Sequence, residues 1–190
     1  MPAKPRNALA RLVPTAVAEE ALGRLVAHVA QVVEHLPAPR PRLRAPGKAH
    51  AGGPLYDLMH NLTVYAQTGA WEAGLLAGAD LDAREVLYAA AHRRPVTESD
   101  LDPEDPVGLV LLAAGARLAL AEDEPVTLKA LGALAGVDPS VVGKALRAGR
   151  LEAAGEARGR RTGAPLRVTP ASSRAWLAAR GVPGPWGAAP

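Results

Sequence analysis

Hydrophobic positions along the chain recur mostly at helical spacing. Leu22, Leu25, Val26, Val29, Val33 and Leu36 fall three or four residues apart, which predicts one long amphipathic helix from about Thr15 to residue 36. Leu55, Leu58, Met59, Leu62, Tyr65 and Ala66 mark a second. A short helix is expected from Trp71 to Leu76, and another from the Asp82–Glu85 start signal to about His92. Asp105 and Pro106 supply a cap and a first-turn proline for a further helix to about Ala121, apolar on most sides and therefore central.

The stretch "VTLKALGALAGVDPSVVGKALRAG", residues 126–149, changes the pattern. Thr127 is a good N-cap, and Leu128 to Ala135 make about two helical turns before Gly136 interrupts them. Asp138 caps again, Pro139 suits the first turn of a second helix, and Gly149 ends it. Two short helices joined by a glycine-based turn form a helix-turn-helix. Small Gly132 would permit a close approach, with Leu131, Leu134, Val137, Val142 and Leu146 closing the seam. Ser140, Gly143, Lys144 and Arg147 are then left on the outward face. Beyond them, Leu151–Ala153 and Leu166–Val168 read as a hairpin around a loop carrying Arg158, Arg160 and Arg161. Thr169 and Pro170 open a last helix containing Trp176 and Leu177, ending at Gly181.

The order helix, turn, helix, hairpin and closing "WL" helix resembles the winged helix-turn-helix modules of MerR-type regulators and phage excisionases, over residues 126–183. The resemblance implies binding to double-stranded DNA. MerR regulators follow the module with a dimerising coiled coil, whereas here the chain ends. Homo-oligomerisation is therefore expected of the N-terminal helices. The expected fold is mainly α, an N-terminal helical region followed by a C-terminal winged helix-turn-helix with a short β-hairpin. It divides into helix 1–36, linker 37–54, acidic helical region 55–125, the module, and a tail from 184 to 190.

Charge agrees with that division. The net +3 conceals eight basic and three acidic residues in 1–50 (+5), four and thirteen in 51–125 (−9), and ten and three in 126–190 (+7). A basic end on an acidic body points first to nucleic acid. In a major-groove reading, Ser140, Lys144 and Arg147 face base edges or flanking phosphates. Thr127 and Lys129 lie near the first helix's N-terminus and are candidate phosphate contacts, and the three loop arginines would hold the adjacent groove. The linker holds five prolines, three glycines and four basic residues without an acid, which reads as an extended tether.

Other chemistries find little footing. Without cysteine there is no disulfide or thiol catalysis. "GVDPSVVGKA" has six residues between its glycines instead of four, and Ala145 stands where a phosphate loop needs a hydroxyl. His28 and His35 lack a further metal ligand, and Tyr56, Asp57, His60 and Asn61 lack a nucleophile or oxyanion device. No cofactor, metal or catalytic residue is expected. The longest apolar run is far short of the roughly 20 residues that span a bilayer, and no signal peptide opens the chain, so a cytoplasmic, nucleoid-associated location is expected. The leading expectation is a sequence-specific transcriptional regulator. The alternatives are a phage or plasmid architectural factor (an excisionase or small terminase subunit), and a protein-binding adaptor or antitoxin whose acidic region covers a basic partner.

Overall fold

The helix over Pro106–Ala121 organises the molecule, because its hydrophobicity runs around the whole barrel instead of along one stripe. Eleven of its sixteen residues are buried, so neighbours must cover it on several sides. The structure, a computed structural model, describes residues 8–34, 54–70, 98–155, 165–184 and Trp186. Among the described residues, six α-helices follow in chain order: α1 Pro14–Glu34, α2 Pro54–Thr68, α3 Pro106–Ala121, α4 Leu128–Ala135, α5 Pro139–Arg147 and α6 Pro170–Ala178. Single 3-10 turns occupy Leu9–Arg11 and Glu98–Asp100. The expected linker and the two expected helices between Trp71 and His92 lie outside the described residues.

α1 packs on α2, α2 on α3, α3 on α4, and α4 on α5, while α6 returns to α3. One continuous core results, built from Leu, Val and Ala with Met59 inside it and Tyr65 and two tryptophans at its edges. Asp105 caps α3 by accepting from the Gly108 amide at 3.0 Å. It also takes a two-pronged contact from Arg24 of α1, at 2.9 and 2.5 Å. One carboxylate thus starts the central helix and ties α1 to it. Burial raises the Asp105 pKa, but the Arg24 hydrogen bonds, the Gly108 amide and the Arg24 charge outweigh it and hold the group below its ordinary value.

The small sheet departs from the expected hairpin. Val126–Thr127 (β1) pairs antiparallel with Arg167–Val168 (β2), Val126 opposite Val168 and Thr127 opposite Arg167. The Leu151–Ala153 segment contributes only a single bridge, Ala153 to Val168. β2 is therefore flanked on both sides, and its main partner is the residue pair leading into α4. Two bonds make that bridge: the Ala154 amide donates to the Arg167 carbonyl at 3.0 Å and the Thr169 amide to the Glu152 carbonyl at 2.9 Å. The Glu152 amide turns instead to the Ser172 hydroxyl at 3.0 Å.

Candidate nucleic-acid interface

The turn between α4 and α5 depends on two glycines. Gly136 closes α4 in the left-handed region at φ 64°, and its amide returns to the Ala133 carbonyl. The Val137 amide bonds the Gly132 carbonyl at 2.9 Å, completing the cap. At Gly132 a Cβ would stand 2.9 Å from the Val137 carbonyl oxygen and 3.3 Å from the Pro139 nitrogen. The close approach expected at Gly132 is present, with turn backbone as the partner. Asp138 then caps α5 by accepting from the Ser140 amide at 2.7 Å. Hydrogen bonds from the Ser140 side chain and amide keep the Asp138 carboxyl below its usual value.

The seam expected from the sequence forms. Leu131, Leu134 and Val142 are fully buried together with Ala145, and Val137 and Leu146 are packed against them. α5 is left with a sharply divided surface. Ser140, Lys144 and Arg147 are exposed, at i, i+4 and i+7, and so share one face. The polarity is graded along it, with the Asp138 carboxylate and Ser140 hydroxyl at the N-terminal end and both cations in the last turn. That placement suits the helix dipole. Gly143, expected on the outward face, is buried instead, because Leu128 and the Arg147 guanidinium lie over it.

Thr127 requires a correction. It does sit at the α4 N-terminus, where its hydroxyl oxygen accepts from the Ala130 amide at 3.1 Å. However, it is only 5% exposed and donates its proton to the Glu98 carboxylate. With both its donor and its position committed, Thr127 builds the fold and is withdrawn from the phosphate contacts. Lys129 is half-buried on α4. Arg158, Arg160 and Arg161 lie outside the described residues.

Two cations escaped the sequence reading. Arg150 is exposed directly after the α5 C-terminus, with its amide bonded to the Ala145 carbonyl. Arg167 is exposed on β2, with one guanidinium nitrogen 3.2 Å from the Pro125 carbonyl. The signal for Arg150 was present in the sequence, since it continues the 144, 147 spacing. Arg167 had none, because its exposure follows from the β1–β2 register.

The other candidate chemistries gain no support from the geometry. Tyr56 and His60 stack at 6.4 Å between centroids, next to each other on one helix face. Among the described residues, no group of three or more His, Asp or Glu residues could hold a metal ion. Also among the described residues, no helix is long and apolar enough to cross a membrane. His35 and the side chain of His28 lie outside the described residues. No family model, curated protein or solved structure matches the chain.

Proposed function

We propose that this chain is a non-enzymatic, sequence-specific double-stranded DNA-binding protein, acting as a transcriptional regulator in the cytoplasm at the nucleoid. Its reader is a winged helix-turn-helix over residues 126–183, and α5 is the helix that enters the major groove. One observation carries the reading: α5 buries Val142 and Ala145 against α4 while Ser140, Lys144 and Arg147 stand exposed together on its other side. A hydroxyl and two long cations on a helix locked by its opposite face can approach base edges and flanking phosphates.

Two further features support it. β1 leads directly into α4, and β2 joins it to the Ala153 segment, so the helix pair and the residues on either side of 156–164 share one small sheet. The segment from 126 to 190 carries ten basic and three acidic residues. Arg150 joins Lys144 and Arg147 in the proposed contact set, with Lys129 and the loop arginines Arg158, Arg160 and Arg161 as phosphate or minor-groove partners. α1 and α2 are the proposed route to a homo-oligomer.

Repeated selection of random duplexes on the full-length protein, followed by sequencing, tests this directly. A single enriched motif is expected. Retained duplexes with no common sequence would remove the claim of specificity. Protection of one short operator in a footprint is expected of a regulator, whereas an architectural factor would protect an extended, repeated tract.

A further inference from the structure

Arg117 is out of place in the middle of the central apolar helix. It is 2% exposed, the largest fully buried side chain among the described residues. Its Nε donates to the Ala66 carbonyl at 2.9 Å and one terminal nitrogen to that of Gln67 at 3.4 Å. These are last-turn carbonyls of α2, so the guanidinium stands at the negative end of that helix. The Trp186 ring covers it, 4.8 Å from centroid to the guanidinium carbon. Space for it is kept by Gly69, where a Cβ would fall 2.7 Å from the remaining nitrogen, Nη1.

That Nη1 is buried and has no hydrogen-bond partner among the described residues. Capping α2 therefore accounts for only part of the group. Among the described residues, the groups that Arg117 meets are neutral carbonyls and a ring, with no counter-ion. A buried cation without a counter-ion carries a desolvation cost that such partners offset incompletely. Burial pushes its pKa down to about 10, and it stays charged at neutral pH.

Arg117 also lines a cavity of about 290 Å³, together with Arg174 of α6, Tyr65, Gly69, Leu120 and Trp186. Arg174 keeps a third of its side chain exposed while holding Asp123 at 2.9 Å and donating to the Leu120 carbonyl. Among the described lining residues there is no carboxylate. Two guanidiniums, a phenol and apolar walls around a space of this size match an acid with a short apolar body: charge toward the arginines, hydrocarbon against Leu120 and the indole.

We propose that the cavity between α2, α3 and α6 binds a small organic carboxylate, with Arg117 and Arg174 as its anion-binding groups. Because its walls come from α2 as well as α6, such a ligand would tie the two parts of the molecule together.

The test is calorimetric titration of the full-length protein with isovalerate and phenylacetate, alongside isovaleramide, phenylacetamide and inorganic phosphate. At least one acid is expected to bind, with its amide weaker by about tenfold or more, as loss of a charged hydrogen-bond partner requires. Arg174→Gln, at a partly exposed site, is expected to keep the fold by circular dichroism and to narrow the acid–amide difference by about tenfold. An Arg174 with a purely structural role would lower the melting temperature and leave that difference unchanged, which would overturn the assignment. Failure of both acids to bind, or phosphate binding as tightly as either, would overturn it as well. The titration contains no DNA, so its outcome is separate from that of the DNA-binding proposal.

Discussion

Gly136 holds a backbone conformation, φ 64°, that an L side chain adopts only at a cost of about 1–2 kcal/mol. Gly136→Ala is expected to lower unfolding stability by that amount in denaturant titration, with no change in net charge to complicate the result. Thr127 invites a sharper experiment, because its two candidate roles predict different losses. As a cap bonded to Ala130 and Glu98, Thr127→Ala should cost about 1 kcal/mol of stability. It should leave the salt dependence of DNA binding unchanged. A shallower salt slope in that variant would return Thr127 to the phosphate contacts. Asp105 contributes to the acid limit. A carboxyl whose folded pKa lies below its unfolded value contributes stability that is complete above the unfolded value, near 4, and is lost as pH falls through the folded one. Wild type should therefore weaken below about pH 4, and Asp105→Asn should flatten that part of the stability–pH curve.

At the scale of elements, the caps were legible, while of the strand pairings only the Ala153–Val168 bridge was and the β1–β2 ladder was not. Asp105–Pro106, Thr127, Gly136 and Asp138–Pro139 each bound a helix within a residue or so of the expected position, because capping is local chemistry written in adjacent side chains. β1 escaped notice since two residues have no readable alternation, and one of them already serves as a helix cap. The burial of Gly143 was equally hidden. It depends on Arg147 folding back along its own helix and on Leu128 from another, neither of which periodicity encodes. Gly132 shows how tightly the two-helix unit is drawn. Gly132→Ala must displace turn backbone at 2.9 Å, so a loss of about 1–3 kcal/mol is expected in thermal or chemical unfolding. A stability equal to wild type would mean that the turn relaxes freely, and α5 would then be less firmly held than the interface requires.

Across the whole molecule, charge and burial divide the work. The acidic residues gather in 51–125 and the basic ones beyond, which the sequence alone revealed. It did not reveal that one of the few basic residues in the acidic segment, Arg117, lies at the centre of the core. In the sequence it enters only the charge balance of that segment, since nothing near residue 117 names the α2 carbonyls that receive it fifty residues earlier. The same long-range geometry folds Trp186 onto the body, anchored by its indole to the Val182 carbonyl at 2.8 Å. For DNA, the whole-molecule consequence is a salt dependence. Each phosphate contact removed should lower the slope of log Kd against log salt by about one. Arg150→Ala should therefore weaken binding to all duplexes alike if Arg150 meets backbone, with a shallower slope as its signature.

The central claim is that α5 reads sequence. Fluorescence anisotropy of the full-length protein on a selected duplex and its scrambled counterpart, at low and moderate salt, with Arg147→Ala beside wild type, tests it most directly. Wild type is expected to keep its preference for the selected duplex at moderate salt, and Arg147→Ala to lose about 1–3 kcal/mol of that preference, the range for one lost base contact. Equal binding to both duplexes that disappears with salt, or a variant that keeps the full preference, would contradict it.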